Sequence, residues 1–201
     1  MAIETIILCP MKEEYNLIKD AIKDFKINAR VSHSGVGEVA AASTISAEIT
    51  NNPGINHVFV VGYAAGSGEL QVGDVVVPTS ARYGDVFVPG NSMDGVITFN
   101  KQYPLVGFDD YQVITTNSFI TEGEIELFNL PTSGVLYEME AAAVAQVCED
   151  YNIPCSVIKI ISDVPSHKNY EDFKEFVASK ESFAGICAVI ETIIKSSRSA
   201  Y

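Results

Sequence analysis

The chain of 201 residues has no tryptophan, only three arginines (Arg30, Arg82, Arg198) and only three histidines (His33, His57, His167). Its 13 basic side chains face 26 acidic ones, for a formal net charge of −13. That balance argues against nucleic acid as a partner, because affinity for a phosphate backbone comes from clustered Lys and Arg. The histidines lie far apart without metal-ligand spacing, so no metal is expected. The four cysteines (Cys9, Cys148, Cys155, Cys187) form no C-x-x-C pair. Each sits in an apolar pattern, which reads as a buried thiol in a reducing compartment. No apolar run reaches the ~18 residues of a membrane helix, and no basic segment precedes a long apolar one at the start. A cytoplasmic protein with no membrane contact is expected. Nucleotide and nucleophile signatures are also missing. Gly35-x-Gly37 lacks the third glycine of a dinucleotide fingerprint, there is no Gly-Lys-Ser/Thr, and no Gly-x-Ser-x-Gly elbow exists.

What is present is the composition of one α/β domain spanning 1–201, with 47% hydrophobic and 19% charged residues and no low-complexity tract. An apolar run at 5–10 reads as a strand buried on both faces. The pattern then predicts a helix over 11–24, a strand at 29–32, a helix over 38–49 and a strand at 58–61, followed by a glycine-bearing turn over 62–68. Strands are expected at 73–78, 81–88 and 112–116, with an irregular surface loop over 89–108. The last third predicts a helix over 139–150, a strand at 155–161, a helical turn near 170–179 and a final helix over 181–197. Such alternation implies a central, largely parallel or mixed twisted sheet flanked by helices, with a site at the strands' carboxyl ends.

Three acids stand at such boundaries. Glu140 precedes Ala141-Ala-Ala143, where unpaired helix N–H groups favour a carboxylate, so it is expected to stay ionised and accept hydrogen bonds. Glu138, two residues earlier, cannot share its face if both are helical. Asp163 follows the apolar run 155–161, so a raised pKa and a proton-donor role are expected. Ser162 beside it is placed to orient it. Lys159 shares the strand parity of Asp163 but lies roughly 13 Å along an extended chain, too far for direct pairing. Glu14, on the first turn of the first helix, is either a solvated acid favoured by the helix dipole or a general base facing the same cleft. Singly, each acid has an ordinary structural explanation; their recurrence at strand–helix boundaries points to chemistry on a polar small molecule.

Taken in order, several segments resemble the nucleoside phosphorylase superfamily. These are Met11-Lys-Glu-Glu14, Ser34-Gly-Val-Gly37, the 62–68 segment leading into Val72-Gly-Asp-Val-Val76, Ala81-Arg-Tyr-Gly-Asp85, Ser118-Phe-Ile120, Tyr137-Glu-Met-Glu140-Ala-Ala-Ala143, Ile161-Ser-Asp-Val164 and Phe173-Lys-Glu-Phe176. The nearest likeness is to its hydrolytic branch, the 5′-methylthioadenosine/S-adenosylhomocysteine nucleosidases. The resemblance implies a nucleoside phosphorylase-like fold and hydrolysis of a purine nucleoside to adenine and a 5′-substituted ribose, by a homodimer without cofactor. It implies that Asp163 protonates the purine, assisted by Ser162, and that Glu14 activates water. It further assigns Glu140 to the ribose hydroxyls, Met139 to the floor under the sugar, and Phe119, Ile120 and Phe173 to the base. Glu138 and Ala64 complete the expected substrate contacts. Tyr63 stands where a small residue is usual and Lys159 where arginine is common. Phosphorolysis is the nearest alternative, but no arginine lies in the first strand–helix turn to grip a phosphate, and Glu14 there would repel one. A non-catalytic nucleoside-binding relative is the alternative from another class.

Overall fold

The computed structural model describes residues 5–24, 28–89, 96–98, 102–179 and 190. The chain opens with β1 (Thr5–Cys9), buried throughout as a run without polar alternation requires. Helix α1 (Lys12–Asp24) lays Ile18 and Ile22 against the sheet. Strand β2 (Arg30–His33) and helix α2 (Glu38–Asn51) follow; α2 buries Ala41, Ile45 and Ile49, a spacing of four that marks one helical face.

Strand β3 (His57–Gly66) is the central element, and here the structure corrects the sequence reading. The segment from Gly62 to Gly66 is not a turn but the second half of a ten-residue buried strand. Its apolar Tyr63, Ala64 and Ala65 are paired to a neighbour, which outweighs the turn tendency of the flanking glycines. Strands β4 (Val75–Val76), β5 (Pro78–Tyr83), β6 (Phe87–Pro89), β7 (Val96–Thr98), β8 (Tyr103–Pro104) and β9 (Asp109–Thr115) make up the middle third. The expected irregular loop over 89–108 therefore contains strands: β6 and β7 form an antiparallel pair, and β8 pairs β5. Two further elements had no counterpart in the sequence reading. Helix α3 (Glu122–Phe128) starts at a capping box of Thr121 and Glu124, and strand β10 (Val135–Glu138) runs into the site. Helix α4 (Ala141–Tyr151), strand β11 (Cys155–Asp163) and helix α5 (Asn169–Ser179) close the described chain. Of the last expected helix only Ile190 is described, helical and fully buried; the remainder, with Cys187, lies outside the described residues.

The main sheet is mixed, with the order β2-β1-β3-β10-β9-β5-β8, while β11 pairs β3 in parallel and β4 in antiparallel fashion. Strand β3 thus touches β1, β10 and β11. Three acids follow from that: one after β1, one at the end of β10 and one at the end of β11 converge where these strands stop. No helix among the described residues is long and apolar enough to cross a membrane.

Candidate active site

Where these strands end, a cleft of about 370 Å³ opens, lined by Glu14, Glu138, Glu140 and Asp163 together with apolar and aromatic side chains. All ten residues singled out from the sequence border it: Glu14, Ala64, Phe119, Ile120, Glu138, Met139, Glu140, Ser162, Asp163 and Phe173.

Glu14 is not the solvated acid of an exposed helix turn. It is only 2% exposed. Its Oε2 accepts the Met11 N–H at 2.7 Å and its Oε1 the Tyr63 N–H at 3.0 Å, tying the start of α1 to the middle of β3. Gly62 makes the approach possible, since a Cβ there would stand 2.4 Å from Glu14 Oε1. Burial pushes the Glu14 carboxyl up to about 7, against the pull of the Lys159 charge and the two backbone hydrogen bonds.

Glu138, rather than Glu140, receives the N–H groups at the start of α4. Glu138 ends β10, and its carboxylate turns onto the first turn of α4, accepting the N–H groups of Glu140 (3.1 Å) and Ala141 (2.9 and 3.0 Å). It also accepts Thr115 Oγ1–H at 2.5 Å and an ammonium hydrogen of Lys159 at 3.0 Å. The Ala142 N–H goes to Thr115 Oγ1 at 2.8 Å. Three donors of the first turn, those of Glu140, Ala141 and Ala142, are thus satisfied without the Glu140 side chain. Glu140, at the N-cap position, makes no side-chain cap bond and instead accepts the Gly37 N–H at 2.7 Å. Gly37 has φ +101°, a conformation that favours glycine and turns this N–H toward the cleft. The expectation that Glu140 stays ionised is corrected: burial first, then the neighbouring Glu138 charge, push it up to about 8, with Lys159 and the Gly37 N–H offsetting part.

Lys159, inside the otherwise apolar run 157–161 of β11, answers to this acid cluster. Burial opposes its ammonium form, but the carboxylates of Glu138, Glu140 and Glu14 outweigh that and hold its pKa above the ordinary lysine value. Both Lys159 and Glu138 are almost wholly buried.

Asp163 terminates β11 at a register irregularity between Ile161 and Asp163. Burial raises its pKa, as expected, while hydrogen bonds from Ser162 and Asn169 pull it back. Ser162 Oγ–H donates to Asp163 Oδ1 at 2.6 Å, and Asn169 Nδ2–H donates to Oδ2 at 2.8 Å. Above the acid lies an aromatic wall. Phe119 meets the edges of Tyr170 (5.6 Å) and Phe173 (5.8 Å), and Tyr63 meets Phe173 at 6.1 Å. The sequence reading had noted Tyr63 but had not placed Tyr170, Asn169 or Lys159 at the site. A lysine in the middle of an apolar strand was the one usable signal, since a buried ammonium requires an acid partner.

A family model described as the phosphorylase superfamily matches residues 109–195. Among solved structures, the chain is similar to a 5′-methylthioadenosine/S-adenosylhomocysteine nucleosidase from Colwellia psychrerythraea in complex with adenine (24% identity, 88% of this chain and 89% of that one, TM-score 0.73). It is similar to an S-adenosylhomocysteine nucleosidase from Streptococcus pyogenes in complex with 5-methylthiotubericidin (21% identity, 88% and 90%, TM-score 0.73). It is also similar to the futalosine hydrolase of Helicobacter pylori (18% identity, 98% and 99%, TM-score 0.79). The chain has the nucleoside phosphorylase-like fold. Within this fold the phosphorylase-superfamily match spans β9, α3, β10, α4, β11 and α5, and eight of the ten expected site residues lie on these elements or between them. Glu14 and Ala64 come from the part of the chain before it.

Proposed function

We propose that the protein hydrolyses the N-glycosidic bond of purine nucleosides carrying a modified 5′ position, of the 5′-methylthioadenosine and S-adenosylhomocysteine type. The observation that carries this reading is Glu14: a buried carboxyl with a pKa of about 7, held in the same cleft as Asp163. A base poised near neutrality and a protonatable acid at a second strand end are what leaving-group protonation plus water activation require. In this reading Asp163 gives its proton to N7 of the purine. The C1′–N9 bond then breaks with its electron pair passing to the base, leaving an oxocarbenium-like sugar that the surrounding carboxylates stabilise. Glu14 takes a proton from water, whose oxygen attacks C1′. Glu140 holds the ribose hydroxyls over Met139, while Phe119, Ile120 and Phe173 hold the base.

Hydrolysis is favoured over phosphorolysis because the described lining residues carry four carboxyl groups and no Lys, Arg or His. A phosphate dianion would find no guanidinium fork there to receive it. The resemblance extends the proposal to a homodimer, which light scattering on the purified protein tests. The burial of Cys9, Cys148 and Cys155 accords with a cytoplasmic setting.

The deciding experiment is release of the purine base from 5′-methylthioadenosine by purified protein, with and without phosphate, identifying the sugar. Free 5-methylthioribose formed without phosphate supports the reading. A phosphate requirement with a sugar 1-phosphate product removes Glu14 from its role. Futalosine is the second compound to assay, given the high TM-score to a futalosine hydrolase.

A further inference from the structure

Asn169 is fully buried at the start of α5, six residues beyond Asp163. An asparagine at a helix start ordinarily points its side-chain oxygen at nearby backbone N–H groups. Here the amide is turned the other way. Its Nδ2 donates one hydrogen to Asp163 Oδ2 at 2.8 Å and the other to the Ile120 carbonyl at 2.9 Å, while Oδ1 is left without a hydrogen-bond partner. Flipping the amide would set Oδ1 against two acceptor oxygens, so those two oxygens dictate its orientation. A buried amide oxygen is thereby left unsatisfied, an arrangement that proteins avoid without a compensating reason.

We propose that Asn169 is a positioning residue that locks the Asp163 carboxyl to the Ile120 backbone, so that the acid and the segment gripping the base keep one fixed spacing. Ser162 holds the other oxygen of Asp163, at 2.6 Å. With Oδ1 and Oδ2 each tied on one side, the carboxyl plane cannot swing, and a proton on it occupies the lone pair left facing the cleft. The Ile120 carbonyl has two lone pairs and gives Asn169 one, so one remains for a ligand. Losing the clamp frees the aim of the acid relative to the Ile120 segment, which lies between β9 and α3.

The charged surroundings of Asp163 are few. Asp172, on α5 with Asn169, adds a smaller upward push on the Asp163 pKa. Glu14 on α1, Glu138 on β10 and Glu140 ahead of α4 line the same cleft. Against these, Ser162 and Asn169 are the donors that favour the ionised form.

The inference rests on Asp163 being the general acid, but its test does not. The protein is labelled with ¹³C at aspartate Cγ, and the Asp163 signal, assigned with Asp163→Asn, is titrated in wild type, Asn169→Ala and the isosteric Asn169→Asp. Asn169→Ala is expected to raise the Asp163 midpoint by about one pH unit, and Asn169→Asp by more, since it removes the donors and adds an acid. With 5′-methylthioadenosine as substrate, the falling limb of the kcat profile moves up with the midpoint. In Asn169→Ala kcat drops about ten- to hundred-fold with KM within about twofold, as expected when aim rather than binding is lost. A purely structural role lowers the melting temperature and leaves the midpoint where it was. An unchanged midpoint in both variants overturns the proposal even if the protein turns over nucleosides. A shifted midpoint sustains the clamp even if wild type proves inactive, and the failure then belongs to the nucleosidase reading alone.

Discussion

Lys159 Nζ lies 3.0 Å from Glu138 Oε2, an ion pair with both side chains all but excluded from solvent. The two residues sit on β11 and β10, strands that do not pair with each other but both pair with β3. The pair therefore bridges across the central strand. It places one positive charge beneath three carboxyls, those of Glu14, Glu138 and Glu140, and so moderates the rise that burial imposes on Glu14 and Glu140.

Removing one partner is expected to be worse than removing both. Lys159→Met leaves the buried Glu138 without its counter-charge, and a loss of about 3–5 kcal/mol is expected. Glu138→Gln alone strands the ammonium and also weakens the cap on α4. The double variant Glu138→Gln/Lys159→Met should regain a large part of the loss, because neither buried charge is then left unpaired. Urea unfolding of the four proteins at pH 7 measures this. Strictly additive losses would show that the pair is not coupled.

The Glu14 carboxyl gives a signature in activity and in stability. With a pKa of about 7, it should produce a rising limb in the pH profile near neutrality. Glu14→Gln removes that limb and lowers kcat by ~10²–10⁴ while leaving the ligand able to bind. Its effect on stability has the opposite direction to that of a salt-bridged acid. The folded state holds the Glu14 proton more tightly than the unfolded chain does, so the contribution is complete below about pH 4.5 and lost as pH rises through about 7. Glu140 acts in the same sense up to about 8. Stability should therefore fall between about pH 5 and pH 8, Glu14 accounting for on the order of 3 kcal/mol. Glu14→Gln flattens that slope in denaturant titrations across the range.

Gly62 tests the seat of the same carboxyl from the backbone side. A methyl group at this position would overlap Glu14 Oε1 at 2.4 Å and Cδ at 2.9 Å. Glu14 is held by two backbone N–H groups and so has little room to yield. Gly62→Ala is expected to fold, to lose one or both of those hydrogen bonds, and to reduce kcat about as far as Glu14→Gln does, with KM changed little. Kinetics that match wild type would mean that the carboxylate can relocate without consequence.

Much of the site was legible in the sequence because its acids sit at the ends of strands, and strand ends are marked by where an apolar run stops. Asp163 after 155–161 and Glu14 after 5–10 are of this kind. The strand leading to Glu138 was not, since Val135-Leu-Tyr-Glu138 is short and runs directly into a helix pattern, which hid it. With no strand end to mark Glu138, the helix N-terminus was given to Glu140. Helix α3 did carry its signal, the Thr121-x-x-Glu124 spacing of a capping box, but its seven residues are too short for a periodicity to show. Asn169 left no trace, because its role depends on a carbonyl 49 positions away in the chain.

Glu140 yields a prediction that needs no turnover. At pH 7 a carboxyl with a pKa of about 8 is mostly protonated. Accepting hydrogen bonds from two ribose hydroxyls favours its ionised form, so a bound nucleoside lowers that pKa and expels a proton. Calorimetric titration with a non-hydrolysable adenosine analogue, repeated in buffers of different ionisation enthalpy, should show release of a substantial fraction of one proton per site at pH 7. The release should vanish by about pH 9, where Glu140 is ionised before the ligand arrives, and should be abolished in Glu140→Gln. An analogue lacking both the 2′- and 3′-hydroxyls should bind more weakly and release little. Proton release that persists unchanged in Glu140→Gln would locate the titrating group elsewhere in the acid cluster, with Glu14 the next carboxyl to replace.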